Sequence, residues 1–307
     1  MGNPITSSQL VKLLVADLRE VMENTYNALP TMIPKLYRMI DSESAWDEFY
    51  SIGGVPDIPT FTGKLSWLSI APGYYTRIES KEFAGGLQIE RKLLDDKKYP
   101  VLDGSAAELM TSAHRVREKY GVRPFAYVFS TAFDFMTSEE GVSLASSSHT
   151  TKAGTSTSSG FDNAGTSALS KTSVAATRIL MRQFRNDISE RIEISDNLGL
   201  IVPDNLADIA MEINLTPKGL DTAEGNVNPQ YKRYEVIPYL RLDDYNTNDW
   251  HMVDMTAMKK YLIWIDRIKP EISNNVDFET FAIQTAVYFR IANGFIGWPW
   301  IYSHAVS

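Results

Sequence analysis

The chain has 307 residues, of which 44% are hydrophobic and 22% are charged, and its formal net charge is −8 at pH 7. This composition is typical of a folded soluble protein with one or two domains. The absence of cysteine excludes disulfides, Cys-ligated metal sites and thiol nucleophiles. The acidic balance argues against a protein whose main task is to grip phosphate groups. No signal peptide is predicted, and no apolar run approaches the length of a membrane span.

The first segment is predicted to be an amphipathic helix. Thr6 and Gln9 have the spacing of a capping box, in which two side chains satisfy free backbone N–H groups. The apolar stripe that follows has helical spacing and comprises Leu10, Leu13, Leu14, Leu18 and Val21. Pro30 disfavours helical geometry at Leu29 and should end the segment. A second short apolar segment covers residues 32–40.

A long β-ribbon is predicted between residues 64 and 90, where apolar and polar residues partly alternate. Its turn is expected at Ala71-Pro72-Gly73, and Gly85-Gly86 is expected to mark a bend or bulge. A two-stranded ribbon is marginally stable alone in water, so we expect another copy of the chain to cover its apolar face. The apolar residues of the ribbon include Leu65, Trp67, Leu68, Tyr74, Tyr75, Ile78, Phe83, Leu87 and Ile89.

Helical and strand patterns follow the ribbon. A helix is predicted from Asp103 or Ser105, with Gly121 stopping or bending it and Pro124 restarting it. Residues 143–173 are rich in Ser, Thr, Gly and Ala, which predicts a loop. The remaining predictions are helices from Val174 and from Pro203, a buried strand at 198–202, strands at 234–242 and 250–254, and apolar runs at 261–265 and 278–289.

Sequence spacing predicts no catalytic, metal or cofactor site. The histidines lie far apart and form no metal-binding motif. Neighbouring carboxylates, as in Asp95-Asp96 and Asp243-Asp244, point to opposite faces when they lie on a strand. The best candidate metal cluster is weak without evidence of a cleft, and it consists of Asp243, Asp249, His251 and Asp254.

Several motifs resemble those of the major capsid proteins of tailed bacteriophages, which have the Hong Kong 97-type fold. The motifs are GGVPDIPTFTGKL at residues 53–65, the run at residues 81–96 with the helix after it, LGLIVPDNLADIA at residues 198–210 and VIPYLRLDDYNTNDWHMVD at residues 236–254. The resemblance implies an α+β fold with an N-terminal arm, an extended β-hairpin loop, a peripheral domain with a long spine helix, and an axial domain. A partial match from Gly141 to His149 resembles the family's exit from the peripheral domain.

The resemblance also implies the division of the chain. Residues 1–55 would form the N-terminal arm and the entry to the peripheral domain, and residues 56–95 the extended loop. Residues 96–165 would form the peripheral domain with its spine helix, and residues 166–268 the axial domain. Residues 269–307 would form C-terminal strands that return to both domains.

The implied function is that of a structural shell subunit. Copies would assemble in the bacterial host cytoplasm into hexamers and pentamers, forming the icosahedral virion head around double-stranded DNA. Portal protein and possible scaffold or decoration proteins are the other expected partners, and no catalysis, cofactor or membrane is required. Some relatives crosslink the ribbon through a Lys–Asn isopeptide bond, but no motif supports this for Lys64 or Lys81. The expected intersubunit contacts are Leu65, Trp67, Tyr74, Tyr75, Phe83, Glu90, Arg91 and Lys92.

Three alternatives remain at this point. An encapsulin-like nanocompartment shell would share the fold but hold a protein cargo. A minor head or decoration protein would share the origin but not the copy number. A metal-dependent hydrolase would be a different class of protein, and it would use Asp243, Asp249 and His251.

Overall fold

The computed structural model describes residues 19–90, 92, 96, 99–218, 227–277, 279–280 and 282–306. Helices and three separate β-sheets share the described chain, which confirms the predicted α+β class. None of the described helices is long and apolar enough to cross a bilayer.

The N-terminal region is helical where it is described. Helix α1 covers residues 19–28, and a short helix, α2 (Ile33–Leu36), and strand β1 (Arg38–Ile40) follow it. Most of the helix predicted from Thr6 lies outside the described residues, and its described end runs past Val21. The helix stops before Pro30, as predicted. Leu36 and Tyr37 then bury their side chains in the core.

The predicted ribbon is wrong in its strand pairing. Strand β3 (Pro72–Glu79) pairs with the earlier strand β2 (Trp46–Ile52) and with β5 (Met136–Ser138), whereas β4 (Lys81–Ile89) enters a different sheet. Residues 64–71 form no strand, so Ala71-Pro72-Gly73 is not a hairpin turn. Side chains do alternate between the two faces of β3, since Thr76 and Ile78 are buried. The strand that pairs with β3 in this register is Trp46–Ile52 rather than a strand at residues 64–71.

Strand β4 is the edge of a four-stranded sheet with the order β1-β10-β11-β4. Strands β10 (Leu262–Val276) and β11 (Ile283–Phe295) form its long central hairpin. The pairing of β4 with β11 is unbroken from Lys81 to Ile89. The bulge predicted at Gly85-Gly86 is therefore wrong.

One continuous helix, α3 (Tyr99–Ala126), occupies the place of the predicted spine. It begins before Asp103 and passes through both Gly121 and Pro124, so the predicted break and restart are wrong. Pro124 cannot donate the hydrogen bond that the Tyr120 carbonyl would otherwise accept. The Asn293 side-chain amide donates to that carbonyl instead, at 2.6 Å, which lets the helix continue.

A second sheet has five strands in the order β6-β12-β9-β7-β8, and it combines strands from within the predicted axial range 166–268 with β6 and β12 from outside it. The strands predicted at residues 198–202 and 250–254 are confirmed and fully buried. The strand predicted at 234–242 ends at Pro238 and gives way to a 3-10 turn, Leu240–Leu242. The strands are β6 (Ala164–Gly165), β7 (Leu198–Val202), β8 (Tyr234–Pro238), β9 (Trp250–Asp254) and β12 (Ile301–His304).

Three helices flank this sheet, namely α4 (Lys171–Met181), α5 (Ala207–Leu215) and α6 (Met255–Tyr261). The segment before α4, predicted as a loop, is largely irregular and is anchored by a few buried residues. The Asn163 amide donates to the Leu144 carbonyl at 2.9 Å, and its oxygen accepts from the Ser146 N–H at 2.7 Å. His149 stacks on Trp298 with ring centroids 4.4 Å apart. Side-chain hydrogen bonds therefore order a segment with few large apolar residues.

A buried ion pair joins α3 to β10. The Arg117 guanidinium donates to both oxygens of Asp266, at 2.6 and 3.0 Å, and the two side chains are only 9% and 6% exposed. The Trp264 indole N–H donates to the same carboxylate at 2.9 Å. This bidentate geometry fixes the position and orientation of the long helix on the sheet.

Arg117→Met should destabilise the subunit by about 3–5 kcal/mol, because it leaves the Asp266 carboxylate buried without a cation. Arg117→Met with Asp266→Asn should recover part of this loss, since no buried charge remains and an acceptor for Trp264 is kept. Arg19→Met is the control, because the Arg19–Glu23 pair is 63% and 54% exposed and should be worth less than about 0.5 kcal/mol. Urea unfolding measures all three, and equal losses for the two single variants would contradict the prediction.

Candidate intersubunit surface

The most exposed apolar surface lies on the segment between β2 and β3, residues 53–71, here called the β2–β3 loop. The structure closes its base tightly. The Gly53 N–H donates to the Ala71 carbonyl at 3.0 Å, and the Gly54 N–H donates to the Asp187 carboxylate at 2.7 Å. A Cβ on Gly53 would collide with Asp187 and with the Ala71 carbonyl. The two glycines of the GGVPDIP motif therefore let the chain lie against the 186–188 segment.

Beyond this base, the described part of the subunit does not cover the loop. Every residue from 55 to 70 is exposed, and none of them makes a hydrogen bond within the described part of the chain. Trp67 is 90% exposed and Ile58 is 88% exposed. A run of large apolar side chains without a cover marks an interaction surface on a soluble protein. The exposed apolar residues of the loop are Val55, Ile58, Phe61, Leu65, Trp67, Leu68 and Ile70.

The outer face of β2 extends this surface. Trp46, Tyr50 and Ile52 lie on the exposed face of the strand together with Glu48, while the alternate residues 47, 49 and 51 are partly buried. The Arg77 guanidinium lies 4.3 Å from the centre of a Trp46 ring, and the rings of Tyr50 and Tyr75 lie 6.0 Å apart. These cross-strand contacts hold the aromatic side chains in place before any partner arrives.

The predicted contact residues lie in different places. Leu65 and Trp67 are exposed on the β2–β3 loop. Tyr74 and Tyr75 are half-buried on β3, and the Tyr74 hydroxyl hydrogen-bonds to Thr150 at 2.9 Å. Phe83 packs within the subunit, with its ring 5.2 Å from those of Phe289 and Tyr120.

The charged members of the predicted set lie after β4. Glu90 and Lys92 are exposed, and Arg91 lies outside the described residues. Trp46, Tyr50, Ile58 and Phe61 are exposed on this surface but are not among the predicted contact residues. For Ile58 and Phe61 the sequence does contain a signal. Apolar residues there are interleaved with Pro56, Pro59 and Gly63, a pattern too irregular for a core strand. The intersubunit role of all these residues remains a prediction.

The β2–β3 loop carries little charge. Asp57 and Lys64 are its only ionisable side chains and they balance each other, although the whole chain has a net charge of −8. A surface of this kind can approach a second copy without strong repulsion. The arrangement suits apolar burial and backbone hydrogen bonding rather than the binding of an ion.

The α+β architecture with the long helix α3 matches the Hong Kong 97-type fold of phage capsid subunits. Residues 74–302 match a family model described as phage capsid protein. The chain belongs to this family. The assignment confirms the resemblance to tailed-phage major capsid proteins, and the residues matched by the family model exclude the β2–β3 loop.

Solved capsid structures share the fold at low sequence identity. The capsid of a native GTA particle is 11% identical with a TM-score of 0.53, covering 91% of this chain and 92% of that one. The mature capsid of bacteriophage PhiM1 is 9% identical with a TM-score of 0.55, covering 88% and 85%. A Microbacterium phage Oxtober96 structure is 8% identical with a TM-score of 0.54, covering 99% and 100%. No curated protein matches the sequence significantly.

The residues of the alternative metal cluster serve separate structural roles. Asp243 accepts from the backbone N–H groups of Asp204 and Asn205, at 2.9 and 3.3 Å, at the start of a helical turn. Asp249 accepts from the Val306 N–H at 2.7 Å. Asp254 caps α6 by accepting from two of its N–H groups, and it also accepts from the Ser195 hydroxyl at 2.6 Å. Across the described residues, no group of three or more His, Asp or Glu side chains is arranged to hold a metal ion.

Two buried histidines of the five-stranded sheet, His251 and His304, favour the neutral form in the folded subunit. Burial lowers the pKa of His251 to about 3 and that of His304 to about 4. His304 Nδ1 accepts from the Ser167 N–H at 3.1 Å, and its Nε2 lies 2.8 Å from the Thr177 hydroxyl, which itself donates to the Ser173 carbonyl. Nε2 therefore carries the single proton. A second proton on Nδ1 would face the Ser167 N–H donor.

Acid should destabilise the subunit through these histidines. Their folded pKa values lie below the ordinary value of 6.5, so the unfolded chain binds protons that the folded chain does not. This stability is fully present above pH 6.5 and is lost as the pH falls towards 4, with about 1–2 kcal/mol lost per histidine at pH 5. Urea unfolding at pH 8, 7, 6 and 5 measures the loss.

His304→Gln isolates one of the two contributions. Glutamine offers an N–H for Thr177 and an oxygen for the Ser167 N–H but does not titrate in this range. The variant should lose about 1–2 kcal/mol less than the parent protein between pH 8 and pH 5. Parallel pH profiles for the two proteins would contradict this assignment of the acid sensitivity.

Proposed function

We propose that this capsid protein assembles into hexamers and pentamers that close into an icosahedral head around double-stranded DNA, with the β2–β3 loop as an intersubunit clamp. The observation that carries the proposal is the complete exposure of residues 55–70. The subunit of a shell-forming family presents there an apolar segment that its described residues leave exposed. Burial of such a segment on a neighbour favours association.

A contact between a loop and a different surface of the next copy is heterologous. Heterologous contacts generate rings when the rotation between copies closes, which is the requirement for hexamers and pentamers. A residue such as Trp67 would bury about 150–250 Å², which corresponds to about 4–6 kcal/mol before ordering costs. The same contact is made by every copy, so a modest contribution per subunit is repeated around each ring.

The charge of the chain fits enclosure of DNA rather than tight binding. Tight binding of phosphates needs a dense Lys/Arg surface, whereas this chain has 30 Lys and Arg against 38 Asp and Glu. A shell of such subunits retains the genome by geometry. Portal protein and scaffold or decoration proteins complete the proposed assembly, and the host cytoplasm is its proposed site.

The test of this function is assembly of the purified chain, followed by electron microscopy and light scattering. Closed icosahedral particles, or uniform rings of six and five, are expected. Particles purified from infected or induced cells should contain double-stranded DNA, and a protein cargo without DNA would instead favour the nanocompartment. A chain that stays monomeric even with a scaffold co-expressed would contradict the proposal.

Replacing residues 55–70 with a short Gly/Ser linker should abolish assembly and leave the subunit folded. The loop ends are already adjacent through the Gly53–Ala71 hydrogen bond of 3.0 Å, and none of residues 55–70 is buried. Trp67→Ser is the milder variant, and it should raise the critical concentration for assembly at least tenfold, which corresponds to about 1.4 kcal/mol. Circular dichroism and thermal unfolding check the fold, and light scattering checks the assembly.

Leu240→Ser is the matched control for Trp67→Ser. Leu240 is 69% exposed but lies in the helical turn after β8, away from the loop. If apolar exposure alone drove association, the two variants would weaken assembly equally. Normal shells from the loop replacement would refute the role of the loop as a clamp.

A further inference from the structure

A cleft lies between the N-terminal helices, α3 and the turn that follows β8. Its volume is about 690 Å³, and it shares no residue with the β2–β3 loop. A concave site with apolar walls and a few polar groups that converge in it is the usual form of a small-molecule site. The apolar residues of the walls are Leu29, Pro30, Met32, Pro238 and Leu240.

Glu118 places a buried charge in this cleft. It is only 4% exposed, and it forms no ion pair among the described residues, since the neighbouring Arg117 is paired with Asp266. Its carboxylate accepts from the Thr31 hydroxyl at 2.6 Å and from the Met32 N–H at 3.5 Å, so each oxygen has accepting capacity left. A buried carboxylate without a cation is costly, and this position therefore favours a positively charged group.

Two further polar atoms of the cleft residues are buried without a hydrogen-bond partner in the described part of the chain. They are Nε2 of His114, which lies one turn before Glu118 on the same face of α3, and the hydroxyl of Tyr239, which is 2% exposed. The His114 ring hydrogen-bonds to the Pro30 backbone, which offers only a carbonyl, so Nδ1 carries the proton and Nε2 is an acceptor. Burial lowers the pKa of His114, which keeps the ring in this neutral form.

An alkylammonium group matches these three acceptors. It has three N–H donors, no acceptor and a positive charge. A carboxylate or phosphate ligand would instead bring a second negative charge beside Glu118. The other ionisable residues of the cleft agree with a cation, because three carboxylates stand against two guanidinium groups. The carboxylates belong to Glu118, Asp243 and Asp244, and the guanidinium groups to Arg115 and Arg241.

We propose that this cleft binds a small linear alkyl diamine, with one ammonium group on Glu118, His114 and Tyr239 and the alkyl chain along the apolar walls. Asp244 is exposed in the same cleft and provides a carboxylate for the second ammonium group. The site lies within one subunit, so the inference does not depend on how copies assemble.

Isothermal titration calorimetry of the purified chain with 1,4-diaminobutane at pH 8 tests the proposal. Saturable binding to one site per subunit is expected. Succinate and 1,4-butanediol keep the carbon chain but lack the ammonium groups, and neither should bind. Binding of succinate without binding of the diamine, or no saturable diamine binding up to about 10 mM, would overturn the proposal.

Glu118→Gln should weaken diamine binding at least tenfold, which corresponds to about 1.4 kcal/mol, because the amide keeps an acceptor for Thr31 but removes the charge. Without diamine, the variant should unfold at the same temperature or higher, since a buried charge without a cation is gone. Glu193→Gln is the matched control, because Glu193 is exposed outside the cleft, and it should leave diamine binding unchanged.

Tyr239→Phe is the milder variant, and it tests the site even if Glu118→Gln fails to fold. It removes only a hydroxyl that has no hydrogen-bond partner among the described residues, so the subunit should keep its unfolding temperature. Diamine binding should weaken at least about threefold. Unchanged binding in both Glu118→Gln and Tyr239→Phe would contradict the assignment of these side chains to the site.

Arg241→Gln tests the sign of the ligand's charge. Arg241 acts electrostatically on both His114 and Tyr239, so its guanidinium opposes a bound cation. Removing this charge should tighten diamine binding by at least about twofold. Weaker diamine binding in this variant would show that the cleft does not receive the ammonium group as proposed.

Discussion

The bidentate ion pair between Arg117 and Asp266 determines how the long helix α3 lies on the central hairpin. Asp266 is at the point where β10 passes from its buried half to its exposed half, and β11 and β4 are built on that hairpin. The next residue on the helix, Glu118, accepts from the Thr31 hydroxyl at 2.6 Å and so fixes the connection between α1 and α2. A buried ion pair contributes little net stability compared with apolar packing, but its geometry is specific. A shell needs this specificity, because rings close only when the angle between copies is fixed.

The interior and the β2–β3 loop differ in how their backbone groups are hydrogen-bonded. In the interior, even unusual carbonyls receive donors, as Tyr120 does from Asn293 and Gly121 does from the Tyr37 hydroxyl at 2.6 Å. In the loop, residues 55–70 make no such bonds among the described residues, although the base at Gly53 and Gly54 is firmly attached. The attached base and the exposed end of the loop therefore have different roles. The subunit folds without the loop's contacts, and those contacts remain available to a second copy.

The sequence predicted those elements whose signal is local. The buried strands at residues 198–202 and 250–254 were found because a short apolar run between turns has few other interpretations. The ribbon was paired wrongly because β3 alternates equally well against residues 64–70 and against residues 46–52. That choice depends on Asp187, which is more than a hundred residues away from the loop base it binds.

The same limit applies to the helix and to the candidate surface. Pro124 predicts a helix break unless the Asn293 amide is known to reach the Tyr120 carbonyl. Leu65 and Trp67 could be selected from sequence because an isolated ribbon has no core to hold them. Phe83 could not be distinguished from them, since the ring that packs on it, Phe289, comes from a strand about two hundred residues later. Packing partners that are distant in sequence therefore determine which apolar residues remain exposed.

An exposed apolar loop is a hazard for any single chain, because it promotes uncontrolled association. Two properties of this chain limit that hazard. Its net charge of −8 keeps unassembled copies apart, and salt screens this repulsion. The loop itself is neutral overall, since Asp57 and Lys64 balance, so the repulsion does not oppose the contact once copies are aligned. In the proposed ring, the loop of each copy would be buried on a neighbouring copy. Closure of such a ring would turn a surface that is a liability in a monomer into the contact that ends association.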